Sequence, residues 1–246
     1  FALGNYFLRK LQMAKKIVVL TGAGISAESG LRTFRGNDGL WENEPIDIVA
    51  TPEGYSAERI RVKNFYNKLR IGLKDFQPNQ AHFALAKLEE HFGDSFLLIT
   101  QNVDDLHEKA GSKRLLHMHG ELLKLRCESN PEHIFEFHGN ETESTRCPIC
   151  NHSTRPHIVW FGEIPLYMQE IEKALNECSH FAYIGTSSVV YPAAGFKAIA
   201  HSKNATVTCL NLEIPSFDPN TDKFIQGKAS ETVPNWVENM INLDKK

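Results

Sequence analysis

The chain has 246 residues, of which 41% are hydrophobic and 23% are charged, enough apolar material to bury a large core without a disulfide framework. Its formal net charge of -3 at pH 7 excludes an overall basic field of the kind that attracts nucleic acids, so we expect no direct contact with DNA or RNA. No apolar stretch approaches the length that a bilayer-crossing segment needs, so no membrane contact is expected.

Cysteine usage indicates a reducing compartment. The five cysteines are an odd number, and several lie close together in the sequence, which favours a metal site over a set of disulfide bridges. We therefore expect a cytoplasmic protein. Residues 1–13 are interpreted as an N-terminal extension of a domain that covers residues 14–246.

The most informative stretch is a glycine-rich turn that directly follows a short apolar strand at residues 17–20. Gly22 and Gly24 stand where a dinucleotide-binding fingerprint needs a tight turn, and Ala27 takes its third, small-residue position. A helix is expected to open after this turn and to offer its N–H groups to a pyrophosphate. The match is partial, because the acidic residue expected about 20 residues further on falls in residues 41–45, which follow no strand. A plain turn is the alternative.

Short apolar runs alternate with helical patterns along the chain, which is typical of a parallel sheet covered by helices on both faces. The predicted strands are residues 17–20, 96–100, 115–118, 181–184 and 206–212, and the predicted helices are residues 80–91, 103–110, 167–177, 193–201 and 233–241. We expect a Rossmann-like, doubly wound α/β fold whose core comprises residues 14–33, 79–120 and 157–246. Residues 34–78 contain no predicted strand and are interpreted as a helical insertion, and the polar residues 121–156 as a second module.

This second module carries a candidate zinc site. Cys147 and Cys150 form a Cys-x-x-Cys turn that lets two thiolates bind one Zn²⁺, and Cys127 lies upstream at the distance of the other half of a zinc ribbon. A structural zinc has four ligands, but the remaining position of the first half is Asn130. The candidates that could complete the set are His133, His138, His152 or water. A degenerate ribbon without metal is the alternative.

Polar residues follow four of the predicted strands, at the sheet edge where parallel α/β proteins bind ligands. These clusters are Gln101, Asn102, Val103 and Asp104; His119, Gly120 and Glu121; Gly185, Thr186 and Ser187; and Asn211, Leu212 and Glu213. Each cluster alone is also consistent with an ordinary helix cap or turn. Four such clusters at the same edge of one sheet favour a ligand-binding site. Glu213 is a candidate for the acidic residue that binds the adenosine ribose hydroxyls, which the fingerprint around Gly22 and Gly24 lacks at its usual position. His119 is the candidate general base, and His117 is expected to be its packed neighbour.

Together these motifs resemble the sirtuin family of NAD-dependent protein deacylases, from residue 16 to about residue 237. The motifs that carry the resemblance are residues 22–26, 32–35, 100–104, 119–121, 161–163, 185–187 and 211–213. The similarity is greatest to bacterial sirtuins of the class that also removes acidic acyl groups.

The resemblance implies that NAD is consumed as a co-substrate, that nicotinamide and O-acyl-ADP-ribose are produced, and that His119 is the catalytic base. It also implies a structural Zn²⁺, a monomer, and an acyl-lysine peptide bound as an added strand between residues 159–163 and 189–191. The implied NAD contacts are Gly22, Ala23, Gly24, Ser26, Ala27, Thr33, Phe34, Arg35, Trp41, Gln101, Asn102, Val103, Asp104, Gly185, Thr186, Ser187, Asn211, Leu212, Glu213 and Ala229. The implied peptide contacts are Val159, Phe161, Gly162, Glu163 and Val190.

One departure from the family pattern concerns the acyl chain. In the class that removes acidic acyl groups, a Tyr-x-x-Arg motif binds the distal carboxylate; Tyr66 matches its tyrosine, but Leu69 stands at its arginine. Arg70 lies one place later on roughly the same helical face, so Tyr66 and Arg70 are the predicted ligands, with a rotated approach of the guanidinium. We expect deacetylation, and desuccinylation only if Arg70 substitutes.

Two other functions would use the same features. One is an NAD-dependent protein ADP-ribosyltransferase, which would leave a stable ADP-ribosylated protein as its product. The other is a non-catalytic NAD-sensing binding module, against which the intact His119 argues.

Overall fold

A six-stranded parallel sheet forms the centre of the computed structural model, which describes residues 16–31, 40–187, 189–213 and 218–245. In these residues the strands are β1 (Ile17–Thr21), β2 (Leu40–Trp41), β3 (Glu44–Pro45), β4 (Phe96–Thr100), β5 (Leu115–His117), β6 (Gly120–Cys127), β7 (Ile134–Glu136), β8 (Thr154–Ile158), β9 (His180–Ile184), β10 (Thr206–Asn211) and β11 (Lys223–Gln226). The α-helices are α1 (Ile46–Val49), α2 (Pro52–Ala57), α3 (Arg59–Gly72), α4 (Gln80–Phe92), α5 (Leu106–Lys109), α6 (Met168–Glu177), α7 (Phe196–Ser202) and α8 (Ala229–Asp244).

Helices cover both faces of the sheet, as the sequence predicts. Every residue of β1 is buried, and its alternate side chains point to opposite faces. Ile17 and Val19 pack with residues of α4 and α8, whereas Val18 and Leu20 pack with residues of α6 and α7. Burial on both sides explains why β1 has an unbroken apolar sequence.

The strand order β11-β10-β9-β1-β4-β5 places β1 where the chain changes direction across the sheet. From β1 the chain continues to β4 and β5 on one side, and it later fills the other side with β9, β10 and β11. Such a reversal opens a crevice beyond the carboxyl ends of the two central strands, here β1 and β9.

The five predicted strands are confirmed, but two predicted helices differ around the crevice. The glycine-rich turn leads into two short 3₁₀ turns, Ala23–Ile25 and Ala27–Ser29, and not into an α-helix. The helix predicted at residues 103–110 is only the single turn α5. One reason is that the Asp104 carboxylate accepts the Leu106 N–H at 3.1 Å, which stabilises a non-helical loop before it.

Other elements were missed or have different ends. The hairpin β2–β3 lies within residues 34–78, where no strand was predicted, and β11 was not predicted. Helix α8 begins at Ala229, ahead of the predicted start at residue 233. The Glu28 carboxylate accepts the Ser230 N–H at 2.9 Å and the Ser230 hydroxyl at 2.8 Å, which satisfies a backbone donor of the first turn. Among the described residues, none of the helices combines the length and the apolar character that crossing a bilayer requires.

The two stretches that interrupt the alternation pack against each other. Strands β7, β6 and β8 form an antiparallel sheet, which is the fold of the cysteine-bearing stretch. A third core cluster joins Val62 and Tyr66 of α3 to Leu122, Ile158 and Trp160. The division of the chain into a core and two inserted modules stays a prediction.

A buried ion pair reinforces this contact. Lys63 Nζ of α3 lies 3.0 Å from Glu141 Oε1, and the two side chains are 3% and 0% exposed. The Thr154 hydroxyl donates to Glu141 Oε1 at 2.8 Å, and the Asn67 side chain bonds both the N–H and the C=O of Glu141. Removing one partner of such a pair leaves the other charge buried and uncompensated.

We predict that Lys63→Met lowers the free energy of unfolding by about 3–5 kcal/mol, because Glu141 loses its cation in an apolar environment. Lys68→Met is the matched control, since Lys68 is an exposed lysine on the same helix; its effect should stay within about 0.5 kcal/mol. Urea denaturation of both variants measures the difference. Equal losses in the two variants would contradict the assigned role of the pair.

Candidate functional site

At the carboxyl ends of β1 and β9, the two following loops contact each other through bare backbone. The Gly22 N–H donates to Ile184 O at 3.0 Å, and the Gly24 N–H donates to Gly185 O at 2.8 Å. A Cβ atom at Gly24 would lie 2.7 Å from Gly185 Cα, and Gly185 itself has a φ of +61°. The glycines are therefore needed for the two loops to contact each other. The fingerprint predicts glycine here for a different reason, which is the close approach of the backbone to a pyrophosphate.

A buried polar cluster lies beside this junction. Ser26 Oγ donates to Asp104 Oδ2 at 3.2 Å, accepts from the Asn102 side-chain amide at 3.2 Å, and lies 3.4 Å from His82 Nε2. Asp104 is buried; burial raises the pKa of its carboxyl, and hydrogen bonds from Leu106 and Ser26 only partly oppose this. These contacts hold the glycine-rich loop against the loop that follows β4.

Sequence reasoning missed two histidines of this cluster. His107 Nε2 lies 2.9 Å from Thr21 Oγ1, whose hydroxyl donates to Thr100 Oγ1 at 2.9 Å. The rings of His82 and His107 are 4.9 Å apart, and burial lowers the pKa of His82 to about 4. Both histidines fall within predicted helices, and helical spacing does not reveal which polar partners a core-facing histidine meets.

His119 lies between β5 and β6, on the same edge of the sheet. Its Nδ1–H donates to Gln101 O at 3.1 Å, and because a carbonyl only accepts, this bond leaves Nε2 as the unprotonated nitrogen of the neutral ring. His119 is half-buried, and burial lowers the pKa of its imidazole. The ring is therefore neutral at pH 7 and able to accept a proton, as a general base must.

The turn after His119 places it next to the candidate peptide-binding segment. Gly120 has a φ of +84°, and a Cβ there would lie 2.0 Å from His157 O, so only glycine fits. The Val159 N–H then donates to His119 O at 2.9 Å. The candidate base and residue 159 are thus joined by a main-chain hydrogen bond.

The loops after β4, β9 and β10 are connected to one another. The Thr186 hydroxyl donates to Gln101 Oε1 at 2.8 Å, and the Asn211 side-chain amide donates to Thr186 O at 2.9 Å. The Leu212 N–H donates to Asn211 Oδ1 at 2.9 Å, and Glu213 follows as an exposed carboxylate. The structure therefore brings together the residues predicted for the adenosine end.

The remaining predicted NAD contacts fall into three groups. Thr33, Phe34 and Arg35 lie outside the described residues. Close to the crevice are Ala23 and Ala27 in the 3₁₀ turns, Ser187 after Thr186, Val103 in the loop after β4, and Ala229 next to the Ser230 that Glu28 binds. Trp41 instead packs edge to face on Phe65 and Tyr66, with ring centroids 5.1 and 5.8 Å apart.

The candidate peptide-binding surface is apolar and partly exposed. The Phe161 N–H donates to Ala50 O at 2.9 Å, and the Phe161 side chain is 48% exposed. On the other side, Val189 and Tyr191 flank Val190 and are 70% and 80% exposed. Such side chains, with Gly162 between residues 161 and 163, are suited to contact an added strand.

The Glu163 side chain is hydrogen-bonded within the protein, so a contact of this residue with a peptide would use its main chain. Its carboxylate accepts from Arg155 at 2.7 Å, from Arg126 at 2.9 Å and from the Trp160 N–H at 2.8 Å. These bonds hold the turn at residues 160–163, so the Glu163 side chain supports the peptide-binding segment and is engaged within the protein.

Arg70 is also engaged within the protein. It is 2% exposed; its Nε donates to Leu122 O at 2.7 Å, and its Nη1 donates to Asn67 Oδ1 at 2.7 Å. The guanidinium lies over the Phe137 ring, with Cζ 5.4 Å from the centroid. These contacts join α3 to the sheet of β6 and β7, whereas the sequence predicts a role at the end of an acyl chain.

Tyr66 is completely buried beneath the peptide-binding segment. Its hydroxyl donates to Val49 O at 2.9 Å and accepts from the Trp160 Nε1–H at 2.9 Å. Leu69 packs against the same cluster, as does Val103 of the loop after β4. An acyl chain that entered between residues 103 and 160 would meet apolar side chains.

The cysteine-bearing stretch forms a compact group of metal ligands. The ligand atoms of Cys127, His133, Cys147 and Cys150 all lie within 4.8 Å of one another. Cys127 Sγ is 3.4 Å from Cys150 Sγ, and Cys147 Sγ is 3.7 Å from His133 Nδ1. Three thiols and one imidazole are a ligand set of structural zinc, so the residues present fit this metal.

The neighbours of these four residues support metal binding. Burial would raise the pKa of the Cys147 thiol, but the backbone N–H groups of Cys150 and Ile149 lower it to about 6, which favours the thiolate that zinc needs. The Asn130 side chain lies 3.1 Å from His133 Nε2 and orients the ring. Asn130 occupies the sequence position of the fourth cysteine of a zinc ribbon. Its side chain contacts His133, the histidine that lies beside the three thiols.

The other two candidate histidines lie elsewhere. The His138 side chain is 70% exposed, with Nε2 3.9 Å from Glu136. His152 Nδ1 donates to Cys150 O at 3.1 Å. The geometry therefore favours His133 over both as the fourth ligand.

Comparisons with known proteins agree with this arrangement. A model of the Sir2 family matches residues 22–192. An NAD-dependent protein deacylase of Pasteurella multocida (strain Pm70) is 53% identical over 230 residues, which cover 92% of this chain and 98% of that protein. The crystal structure of a Sir2 homolog–NAD complex has a TM-score of 0.84 at 34% identity and covers 98% of this chain and 95% of that one. The structure of Sir2Af2 bound to a myristoylated histone peptide has a TM-score of 0.69 at 33% identity, with 93% and 92% covered.

We predict that the purified protein contains one Zn²⁺ per chain and that His133→Ala weakens zinc binding at least about tenfold, because even an outer neighbour of a metal ligand contributes that much. His152→Ala is the control and should keep the parent zinc content. Competition with a chromophoric chelator, followed by metal analysis, measures both variants. Equal zinc affinity in parent and His133→Ala would exclude His133 as a ligand.

Proposed function

The chain belongs to the Sir2 family, and from this premise we propose that it is an NAD-dependent protein-lysine deacylase that removes acetyl groups from lysine side chains. Its products are the free lysine, nicotinamide and O-acyl-ADP-ribose. The observation that carries the proposal is the position of His119. A neutral imidazole with one fixed donor lies beside the crevice of a dinucleotide fold, and its own carbonyl is hydrogen-bonded to the candidate peptide-binding segment.

In this proposal, NAD binds across the carboxyl ends of the central strands. The loop of Gly22 and Gly24 faces the pyrophosphate, Asn102 and Asp104 hold the nicotinamide end, and Glu213 takes the ribose hydroxyls of the adenosine. NAD would supply a glycosidic carbon bonded to a pyridinium nitrogen, so nicotinamide takes the bonding electron pair, leaves as a neutral molecule and needs no acid. The connected bonds from Ser26 to Asn102 and from Thr186 to Gln101 support the proposal, because they hold all three loops in place.

In this proposal, His119 is the single side chain of the protein that transfers a proton. His119 Nε2 takes the proton of a ribose hydroxyl, while Nδ1–H stays bonded to Gln101 O and fixes the orientation of the ring. Burial lowers the pKa of this imidazole, which favours the neutral ring that a general base needs.

The substrate is an acylated lysine in a polypeptide. We propose that the peptide adds a strand between residues 159–163 and 189–191, so that main-chain pairing tolerates many sequences. Two observations support this: the exposed apolar side chains of Phe161, Val189 and Tyr191, and the acylated peptide in the related Sir2Af2 structure. A cytoplasmic location and a monomeric state remain predictions, and the five unpaired cysteines support the first.

We further propose that the acyl pocket prefers neutral chains. Leu69 stands where an arginine would bind a distal carboxylate. Arg70 uses Nε and Nη1 on Leu122 O and Asn67 Oδ1, so only Nη2 is left without a partner in the described part of the chain, and the two-donor fork that grips a carboxylate is not available. A buried carboxylate that is not gripped in this way is costly, so succinyl-lysine should be a poor substrate.

We predict that His119→Gln lowers kcat for acetyl-peptide deacetylation by about 10²–10⁴-fold, the usual contribution of a general base. The rate of the parent should also fall as the pH drops through the lowered pKa of His119, below its ordinary value of about 6.5. Nicotinamide release, followed by mass spectrometry of the ADP-ribose product, measures both effects. His138→Gln, on an exposed histidine, is the control. Turnover of His119→Gln at the parent rate would exclude His119 as the general base. A stable ADP-ribosylated protein as the product would indicate an ADP-ribosyltransferase.

We also predict that Leu69→Arg raises the ratio of desuccinylation to deacetylation by about tenfold or more, since a charge-assisted pair with a carboxylate contributes about 1.5–3 kcal/mol. Lys68→Arg, at the adjacent exposed position, is the control. Arg70→Met should lower stability and leave the acyl ratio of the parent unchanged. A lower ratio of desuccinylation to deacetylation in Arg70→Met would indicate that Arg70 binds the acyl chain.

A further inference from the structure

His117 is a buried histidine for which the deacylase mechanism assigns no role. It ends β5, two residues before His119, and it is 5% exposed. Its Nδ1 lies 3.0 Å from Asn102 O and its Nε2 lies 2.7 Å from Glu108 Oε1. Both ring nitrogens therefore face an oxygen.

These two partners fix the charge of the ring. A carbonyl oxygen and an ionised carboxylate accept hydrogen bonds and cannot donate them, so both nitrogens of His117 must carry hydrogen. The ring is then an imidazolium. Glu108, His117 and Glu121 also place ligand-type atoms within 4.8 Å of one another, but an imidazolium has no lone pair to give a metal, and Lys124 Nζ lies 2.8 Å from Glu121.

His117 and His119 hold consecutive carbonyls of one loop. His119 Nδ1 donates to Gln101 O and His117 Nδ1 donates to Asn102 O, in the loop proposed to bind the nicotinamide end of NAD. Asn102 is also held by its N–H on Thr100 Oγ1 at 3.0 Å and by its side chain on Ser26 Oγ. Of the three contacts that hold Asn102, the one from His117 is the only one made by a titratable side chain.

We propose that His117 is a positioning residue: as an imidazolium braced by Glu108, it holds the Asn102 carbonyl and so sets the loop that binds the nicotinamide end of NAD. This inference rests on the proposed function for the identity of the ligand. It assigns different charge states to the two histidines, with His119 neutral as the base and His117 cationic as the anchor of the loop.

The surroundings of His117 determine the direction of its pH dependence. Burial lowers the pKa of His117, but the hydrogen bond and charge of Glu108 outweigh it and raise the pKa, with Glu121 adding to the effect. The other titratable groups that interact with it are Asp104, His107 and His157. As pH rises through the raised pKa, the ring loses one proton. Because the charged carboxylate of Glu108 is the stronger acceptor and retains the Nε2–H, the hydrogen bond that is lost is the one from Nδ1 to Asn102 O. NAD binding should therefore weaken on the alkaline side, whereas protonation of His119 limits the rate on the acid side.

The experiment uses the full chain with Glu108→Gln, which removes the carboxylate and leaves His117 in place. KM for NAD and kcat are measured between pH 5 and 10 at saturating acetyl peptide, and KM for the peptide is measured at saturating NAD. We expect KM for NAD to rise about threefold to tenfold at neutral pH, and its alkaline increase to begin at a lower pH, because the neutral amide no longer raises the pKa of His117. The acid limb of kcat and KM for the peptide should match those of the parent.

Two further variants make the result decisive. His117→Gln has no titrating ring, so its KM for NAD should be raised and should show no alkaline increase. Asp105→Asn removes a carboxylate next to the same helix, one that pairs with Lys109, and should behave like the parent. Thermal melting of every variant separates a loss of fold from a loss of loop position. A Glu108→Gln variant with the parent KM and pH profile would overturn the inference.

Direct titration of NAD by calorimetry distinguishes this inference from the proposed function. If the parent binds NAD with the expected alkaline weakening, and Glu108→Gln shifts it, the role of His117 is supported even if no acyl peptide is turned over. In that case the deacylase proposal alone fails. NAD binding that is independent of pH in both proteins would contradict the role of His117 whatever the turnover.

Discussion

The site depends on the contact between two loops at the reversal of the sheet. Gly22 and Gly24 donate to Ile184 O and Gly185 O across the ends of β1 and β9, and no side chain fits between Gly24 and Gly185. Because β1 and β9 are buried on both faces, these loop ends cannot shift without disturbing the core. The loop after β4 then attaches to this junction through Ser26 and carries the carbonyls that both histidines hold.

Helix α3 and the cysteine-bearing sheet pack against each other through buried polar side chains. Lys63 and Arg70 of α3 are buried against the sheet of β6, β7 and β8, and Glu163 fixes the turn that presents Phe161. The cluster around Tyr66 also packs against Val103 of the loop after β4. Lys63 and Arg70 thus join α3 to the cysteine-bearing sheet, and Arg70 Nη2 is a buried donor without a hydrogen-bond partner among the described residues.

The sheet and the family were accessible from sequence because both rest on local patterns. The apolar runs at residues 17–20 and 96–100 are too short for buried helices and alternate with helical patterns, which favours buried strands. Polar residues after the ends of parallel strands meet at one edge of the sheet by geometry. The partners of Arg70 and Glu163 were not accessible from sequence, because Arg70 binds the distant Leu122 carbonyl and Glu163 binds the distant Arg126, and only the fold brings these groups together. His133 shows what the sequence could and could not identify. From sequence it was one of three candidate histidines, and only the fold places its Nδ1 beside Cys147.

The most direct test is a structure of the protein with NAD and an acetyl-lysine peptide bound together. The account predicts that the pyrophosphate lies over the ends of β1 and β9, that the peptide pairs with residues 159–163, and that His119 Nε2 is within hydrogen-bonding reach of a hydroxyl of the nicotinamide ribose. A dinucleotide bound in the crevice with the His119 ring directed away from that ribose would contradict it.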